Sequence, residues 1–248
     1  SVGRVQTPTL GMVCERYWEN RRFTPEAFWQ LHIAVDGNND GTVKLSSSEK
    51  WKEKEPATAL YNKVKEIGAA TVTKAERKEK TEDTPLLYDL TTLQKEANAK
   101  HGFTAEQTLE IAQKLYEKKL ITYPRTGSRY IPEDVFAEIP KLLAFIGALP
   151  EWKGKVQAKV QPTRRNVDGS KVTDHHALLV TGEKPLFLSK EDNTVYQMIA
   201  GRMIEAFSEK CVKDTTAVTA ECAGVEFIVK GSVIRQAGWR AVYGEEDK

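Results

Sequence analysis

Apolar residues recur along much of this chain at the 3.6-residue spacing of an α-helix. The first such run predicts a helix that continues to about Asn20, with Thr7 as its cap and Pro8 at its first helical position. A helix with an apolar face packs that face against a neighbour. The residues that share this face are Leu10, Val13, Cys14 and Tyr17.

Capping residues mark several further helices. Thr104 and Gln107 form the pattern of a capping box, and the helix before them stops at Gly102. Two consecutive capped helices resemble a helix-turn-helix unit. Ser189 caps a later amphipathic helix. The helices predicted in this way cover residues 57–67, 91–100, 104–120 and 132–146, and a stretch that begins at residue 189 and extends to about residue 207.

Alternation of apolar and polar residues predicts strands on both sides of the helical middle. Residues 29–35 and 43–45 alternate on either side of a turn at residues 38–41, which is typical of a β-hairpin. A strand from Ala70 is expected to end in the charge run 74–83, with a domain boundary near Thr84. The other predicted strands cover residues 177–180, 217–220, 225–230 and 240–243.

The order of elements, strands then helices then strands, favours one domain inserted into another. In such an arrangement the two outer parts complete a single sheet domain. The fold class predicted from this order is α+β, with a β-rich domain and an inserted helical domain.

Composition indicates a globular protein. The chain has 248 residues, of which 40% are hydrophobic and 29% are charged. No apolar run approaches the roughly 18 residues that span a bilayer, so we expect no membrane partner. The start at Ser1 has no basic and apolar leader, and the three cysteines form no CxxC pair, so we expect a cytoplasmic protein and no zinc site.

The net charge of +2 does not by itself indicate a nucleic-acid partner. The distribution of charge is more informative. Residues 153–173 contain six lysines and arginines and one acidic residue. A stretch of this kind is either a solvated loop or a contact for a polyanion, and composition alone leaves both open.

Residues 121–131 bring a nucleophile and arginines together outside a helix, because Pro124 and Gly127 interrupt the helical spacing. Tyr123 and Arg125 are two residues apart, so in an extended backbone they share a face. A phenol is a weak nucleophile near pH 7, and a guanidinium both favours the phenolate and binds phosphate. The pair therefore suits phosphoryl transfer to tyrosine. The alternative is that Tyr123 packs the loop and Arg125 caps the preceding helix.

Two other places could bind phosphate. His175 and His176 precede an apolar strand, and a histidine there can donate to a phosphate oxygen or move a proton, although a structural pair is the more usual case for such a motif taken alone. Arg4 and Gln6 lie just before the first helix, whose N-terminus favours an anion, although an ordinary cap with a surface arginine is the simpler interpretation.

Several short motifs, in one order along nearly the whole chain, resemble those of type IA DNA topoisomerases. Tyr-Pro-Arg at 123–125 and Gln-Thr-Pro-Thr at 6–9 resemble the bacterial topoisomerase III branch in particular. The motifs cover residues 3–10, 89–97, 120–126, 175–177 and 238–239.

The resemblance implies roles for the residues that match. Tyr123 would attack a phosphodiester in one DNA strand and keep the 5′ phosphate, Arg125 would stabilise that phosphate, and His175 would be the active-site histidine. The enzyme would pass another strand through the gap and change DNA topology without ATP, as an isomerase. Gly127 stands where the family commonly has Asp. The DNA contacts expected from the resemblance and from the basic stretch are Arg4, Gln6, Arg129, Arg164 and Arg165.

The resemblance also implies an architecture. Residues 1–21 would be a helical segment of the gate-base domain. Residues 22–83 and 183–248 would form the β-rich arch or hinge domain. Residues 84–182 would form an inserted winged-helix-like (CAP-like) domain that carries Tyr123, with hinges near 80–85 and 180–187.

Family members carry a Toprim domain that binds Mg²⁺, and we expect it to precede Ser1, so that this chain is an internal fragment. The fragment would bind no metal, would be inactive alone, and would have single-stranded DNA and the rest of its own polypeptide as partners. Two other functions stay open: a non-catalytic winged-helix module that binds single-stranded DNA, and a structural hinge without nucleic-acid contact.

Overall fold

Helices and antiparallel strands make up the structure, a computed structural model that describes residues 3–36, 41–155 and 163–244. Most of the predicted hairpin turn at 38–41 and part of the basic stretch at 153–173 lie outside the described residues. Contacts divide the chain into two compact units, residues 1–76 with 216–231 and residues 77–215 with 232–248. The α+β class predicted from the sequence is confirmed.

The first unit contains the predicted hairpin. Its strands pair antiparallel, with Ile33 opposite Leu45, and in the first strand half-buried residues alternate with exposed ones. A helix follows and ends at Gly68, which has the left-handed conformation that favours glycine. The elements of this part are α1 (Gln6–Arg22), β1 (His32–Asp36), β2 (Thr42–Ser47) and α2 (Lys54–Ile67).

Three long strands complete a five-stranded sheet in the order β1-β2-β5-β4-β3. They are β3 (Thr71–Glu82), β4 (Cys211–Cys222) and β5 (Val225–Gln236). The expectation that the charge run 74–83 ends the strand is wrong. Thr215 donates to the carbonyl oxygen of Lys78 at 3.0 Å, and Arg77 forms an ion pair with Asp214. Cross-strand partners of opposite charge therefore keep β3 regular through the charged residues.

Within its described residues the second unit holds four helices, and two of them begin at predicted caps. The Asp89 side chain accepts from the backbone N–H of Thr92 at 2.6 Å, and Thr104 and Gln107 form the capping box. Ser189 caps the last helix in the same way. The helices are α3 (Leu90–His101), α4 (Ala105–Glu117), α5 (Glu133–Ala148) and α6 (Lys190–Phe207).

One hydrophobic core joins these four helices. Leu93, Leu115, Ile139 and Ile199 are fully buried in it, one from each helix. Every residue of α6 from Met198 to Phe207 is buried. Helix α6 was predicted to lie outside the inserted domain of residues 84–182, yet it shares a core with the helices of that domain. The predicted domain bounds stay predictions.

The predicted strand at 240–243 is wrong. A 3₁₀ turn occupies Gly238–Val242, and Gly238 has φ +54° with a would-be Cβ only 2.3 Å from the carbonyl oxygen of Lys210. The Trp239 N–H donates to the carbonyl oxygen of Glu209 at 2.9 Å. This close backbone approach requires glycine and turns the chain before a strand can form.

The first helix also differs from its prediction. It begins at Gln6 with Val5 as its N-cap residue, so Thr7 lies inside the helix and is not the cap. No residue of α1 is buried, and its apolar face is open to solvent, with Leu10 59% and Val13 61% exposed. The spacing predicts an apolar face correctly, but the described residues contain no partner for it.

Within the described residues, no helix has both the length and the apolar character needed to cross a membrane.

Candidate active site around Tyr123

The C-terminal end of α4 sets the direction in which the Tyr123 segment leaves the helix. Leu120 donates its N–H to the carbonyl oxygen of Leu115, and Lys119 donates to that of Tyr116. These two bonds form a Schellman motif with Lys119 in the left-handed conformation at φ +58°. Leu115 and Leu120 are both buried, as the hydrophobic contact of this motif requires. The segment therefore starts from a rigid helix end.

Replacing Lys119 with glycine should stabilise the protein. Lys119 is an L-residue at positive φ, and glycine has no Cβ to strain there, so we expect a gain of about 0.5–1 kcal/mol in the free energy of unfolding. Urea denaturation of the 248-residue chain measures it. The matched control is Lys118→Gly, at φ −75°, which should lose stability. Equal effects of the two substitutions would contradict the role of the left-handed conformation.

Thr122 ties the Tyr123 segment to the segment that follows His175. Its N–H donates to the carbonyl oxygen of Leu179 at 2.9 Å, and its hydroxyl oxygen accepts the Leu179 N–H at 3.0 Å. Leu178 and Leu179 are buried beneath these bonds. Two stretches of chain that are far apart in sequence therefore lie side by side at the site.

Thr126 makes a second tie on the other side of Tyr123. Its hydroxyl donates to the carbonyl oxygen of His175 at 2.8 Å and accepts the N–H of Ser128 at 3.1 Å. The Thr126 carbonyl oxygen accepts the N–H of Leu90, the first residue of α3, at 3.1 Å. Thr126 is buried, so these bonds are shielded from water. The backbone on both sides of the tyrosine is thus held in place.

Arg125 lies at the centre of a tight turn. The Thr126 N–H donates to the carbonyl oxygen of Pro124 at 3.0 Å, which closes a three-residue turn around Arg125. The direction of its side chain is therefore set by a turn, and not by the strand alternation assumed from the sequence. Arg125 is exposed, and within the described residues its guanidinium forms no ion pair or hydrogen bond. All of its donors are open to a ligand.

The Tyr123 ring contacts two other aromatic rings. The His175 ring centroid is 4.5 Å away at an interplanar angle of 47°, and that of Tyr116 is 5.3 Å away at 78°. Tyr123 is half-buried, and its hydroxyl has no hydrogen-bond partner in the described part of the chain. His175 is exposed, so the phenol and the imidazole meet at the surface. The structure thus brings the predicted Tyr123 and His175 together.

The neighbouring histidine has a different place. His176 is half-buried, and its Nδ1 lies 2.7 Å from the carbonyl oxygen of Ala177. A ring nitrogen at this distance from a carbonyl donates its proton to it. Of the two histidines, His175 is the one whose ring contacts Tyr123.

Arg129 is engaged with the backbone. Its Nε donates to the carbonyl oxygen of Leu87 at 3.0 Å, and a terminal nitrogen lies 3.4 Å from that of Leu86. It is half-buried. These bonds hold the chain before α3 and favour a structural role, and the predicted DNA contact stays a prediction.

The two predicted arginines near the basic stretch have acidic neighbours. Arg164 forms an ion pair with Glu133, and Arg165 lies 3.9 Å from a carboxylate oxygen of Asp83. All four side chains are exposed to solvent, from 39% for Arg165 to 69% for Glu133, so these pairs contribute little to stability. The acidic partners lower the positive potential that the stretch presents.

Arg4 and Gln6 belong to the other unit, at the beginning of α1, and both are exposed. Val5 makes no side-chain cap there, but Thr7 donates its N–H to the carbonyl oxygen of Gly3 at 3.3 Å, and Pro8 has no N–H to offer an anion. Their predicted contact with DNA stays a prediction.

Sequence patterns missed three residues that shape the site: Tyr116, Thr122 and Thr126. In the sequence, Tyr116 looks like one more residue of α4. The hydroxyls of Thr122 and Thr126 form hydrogen bonds with partners about fifty residues away in the sequence. The Thr-x-x-x-Thr flanks of Tyr-Pro-Arg are the only signal that could have indicated them.

A metal site was not expected in this chain. Among the described residues, no three side chains of His, Cys, Asp or Glu form a group that could hold a metal ion. The residues around Tyr123 therefore do not fit Mg²⁺.

Comparison with known proteins identifies the class to which this fold and site belong. The profile of the family described as DNA topoisomerase matches residues 1–248, so the chain belongs to the DNA topoisomerase family. The resemblance to type IA topoisomerases is confirmed. The chain is similar to DNA topoisomerase 3 of Bacillus subtilis, with 35% identity over 256 residues, and to that of Bacillus licheniformis, with 33% over 255 residues.

The chain spans about a third of the length of these relatives: the match covers 100% of this chain and 35% of each relative. A solved structure, the full-length topoisomerase I from Thermotoga maritima, has the same fold, with a TM-score of 0.72 at 23% identity. That match covers 99% of this chain and 40% of the other.

Proposed function

We propose that this chain carries the nucleophile of a type IA topoisomerase reaction. The Tyr123 oxygen attacks the phosphorus of a phosphodiester in one DNA strand. The new bond forms as the bond to the 3′ oxygen breaks, the phenol loses its proton, and the 3′ oxygen gains one. The products are a 5′-phosphotyrosine and a free 3′ hydroxyl, and the reverse reaction rejoins the strand. One ester replaces another, so no ATP is consumed.

The observation that carries this proposal is the grouping of Tyr123, His175 and an unpaired, exposed Arg125. The guanidinium can donate two parallel hydrogen bonds to the phosphate as charge builds on it. The imidazole, in contact with the phenol ring, can accept or return a proton. Because the backbone ties of Thr122 and Thr126 already hold these groups, little ordering is needed when DNA binds.

The exposed face of α1 supports a second part of the proposal. Leu10, Val13 and Tyr17 are at least half exposed, and a helix with an apolar face in water gains by covering it. The relatives are nearly three times as long as this chain. We propose that the rest of the polypeptide, including the Toprim and gate-base domains, covers this face. Mg²⁺ is proposed to act through that part of the protein, and the chain alone is proposed to be inactive.

The proposed architecture retains a winged-helix-like domain inserted in a β-rich arch. Support comes from the capped pair α3 and α4 and from the long strands β3, β4 and β5. The shared core favours including α6 in the helical domain. Opening near residues 80–85 and 180–187 would separate the two DNA ends so that another strand passes. Single-stranded DNA in the cytoplasm is the proposed substrate.

To test this proposal, the complete enzyme is incubated with Mg²⁺ and a single-stranded oligonucleotide. Rapid denaturation then traps any covalent adduct. A label at the 3′ end of the DNA should stay with the protein, whereas a label at the 5′ end should leave with the free fragment. Peptide mapping should find the nucleotide on Tyr123. An adduct on another residue, or one that retains the 5′ label, would overturn the proposal.

Replacing Arg125 with lysine should slow adduct formation by about 10- to 100-fold, because an ammonium supplies charge without the two parallel bonds of a guanidinium. The rate is measured at saturating oligonucleotide. Arg235→Lys is the matched control, since Arg235 pairs with Asp214 and lysine can retain that pair. An unchanged rate in Arg125→Lys would contradict bidentate binding of the phosphate.

The aromatic pair Tyr116 and Tyr123 favours one alternative function, a non-catalytic module that binds single-stranded DNA by stacking. Stacking of a base on an aromatic ring is worth about 1–3 kcal/mol. This alternative predicts salt-dependent binding with no adduct under any metal condition. Absence of both binding and adduct would instead indicate a structural hinge.

A further inference from the structure

Within the described residues, the Tyr123 ring contacts two aromatic rings, those of His175 and Tyr116. The two tyrosine rings meet edge to face, with centroids 5.3 Å apart and an angle of 78° between their planes. Aromatic pairs favour this geometry and separation. The contact is therefore a specific one.

The position of Tyr116 on α4 makes it a rigid support. Ile111, Ala112 and Leu115 bury one side of this helix, and Leu115 is fully buried. Tyr116 follows Leu115 directly, and its carbonyl oxygen accepts the Lys119 N–H in the Schellman motif. The ring is 39% exposed, so it is placed by its helix and not by burial of its own.

A tyrosine nucleophile needs such a support. Its side chain has three staggered χ1 positions, and only one can direct the hydroxyl at a given phosphorus. The backbone ties of Thr122 and Thr126 hold the main chain on both sides but do not select among these positions. A neighbouring ring that contacts Tyr123 in one of them favours that one.

We propose that Tyr116 is a positioning residue for the Tyr123 nucleophile, acting through the edge-to-face contact and not through its hydroxyl. The inference rests on the proposed function, because it assigns Tyr116 a part in the reaction of Tyr123. Tyr116 touches the nucleophile and no reacting atom. Its contribution is to the rate of attack and not to DNA affinity.

The test compares Tyr116→Leu with Tyr116→Phe in the complete enzyme. Leucine retains an apolar side chain suited to a helix and removes the ring, and phenylalanine retains the ring and removes the hydroxyl. We expect Tyr116→Leu to slow single-turnover adduct formation at saturating oligonucleotide by about 3- to 10-fold. Tyr116→Phe should react at the wild-type rate. The dissociation constant for a non-cleavable oligonucleotide should not change in either variant.

Tyr61→Leu is the matched control, because Tyr61 is a tyrosine of α2 with a similarly exposed ring, 51%. It should leave the rate unchanged. An unchanged rate in Tyr116→Leu would overturn the inference. So would a loss of DNA affinity with an unchanged rate, which would indicate that Tyr116 stacks on a base. Failure of Tyr116→Phe would show that the hydroxyl acts.

The results distinguish failure of the role of Tyr116 from failure of the proposed function. If the wild-type enzyme forms no adduct at Tyr123, the proposed function fails, and the inference fails with it. If the wild type forms the adduct and the three substitutions behave alike, only the role of Tyr116 is refuted. Urea unfolding of each variant distinguishes a general loss of stability from a change in rate.

Discussion

Tyr123→Phe is expected to abolish formation of the covalent adduct and DNA relaxation by the complete enzyme. Phenylalanine keeps the ring that contacts His175 and Tyr116, so only the attacking oxygen is lost. Removal of a nucleophile that acts within a catalytic group typically lowers the rate by about 10⁴-fold or more. Trapping with a 3′-labelled oligonucleotide measures the rate of adduct formation. The variant should still bind single-stranded DNA.

Tyr130→Phe is the control for this prediction. Tyr130 belongs to the same segment and its ring is half-buried, with the Lys171 ammonium 4.5 Å from the ring centroid. The substitution leaves that ring in place and should leave cleavage unchanged. A persistent adduct in Tyr123→Phe would show that another residue is the nucleophile.

Arg202→Met is expected to cause the largest loss of stability, about 3–5 kcal/mol. The Arg202 side chain is 8% exposed and bonds Glu96 at 2.6 Å and Glu205 at 3.0 Å. It also donates to the carbonyl oxygen of Leu86 at 3.1 Å. Methionine fills the space but removes the guanidinium from both carboxylates, and Glu96 keeps only the Tyr88 hydroxyl and the Lys100 ammonium. Chemical denaturation of the 248-residue chain gives the difference in the free energy of unfolding.

The loss should depend on pH. Burial raises the pKa of Glu205, although Arg202 opposes it. Burial also acts on Glu96, but hydrogen bonds from Tyr88 and Arg202 outweigh it and lower the pKa of that carboxyl. A lowered pKa means that the stability contributed by Glu96 is present above its unfolded pKa and is lost as the pH falls through the folded value. In Arg202→Met both carboxyls take up protons more readily.

The destabilisation by Arg202→Met should therefore be larger at pH 8 than at pH 5. Arg202→Lys keeps the positive charge but not the forked guanidinium, and it should lose less stability than Arg202→Met. Arg16→Met is the surface control, because Arg16 and Glu19 are largely exposed, and it should change stability by less than about 0.5 kcal/mol. A loss that does not vary with pH would contradict the role of the carboxylates.

The buried cluster of Arg202, Glu96, Glu205 and Tyr88 also supports the candidate site. The backbone carbonyl oxygen of Tyr88 accepts the N–H of Leu178, which lies in the segment that begins at His175. Burial raises the pKa of the Tyr88 phenol, so it stays protonated and donates to Glu96 at 2.7 Å. Arg202 and Arg129 both donate to the carbonyl oxygen of Leu86 just before it. Packing beneath the site thus depends on charges that no motif indicated.

Helix boundaries were predictable from the sequence where a local cap decides them. The box of Thr104 and Gln107, the cap of Ser189 and the left-handed Gly102 each involve residues within a few positions of one another. Strand lengths were less predictable. The charge run in β3 looks like a linker by composition, yet partners such as Asp214 on a distant strand keep it in the sheet.

The sequence by itself determined the family, the α+β class, and the residues Tyr123, Arg125 and His175 as candidates, because motifs and short-range periodicity depend on neighbours in the chain. Tertiary structure decided which side chains meet. The contact of His175 with Tyr123 requires the chain to return to the end of α4 after the basic stretch, whereas Tyr116 reaches Tyr123 across the turn that ends α4. That return is set by packing in the shared core and by hydrogen bonds between segments about fifty residues apart, which no local pattern encodes.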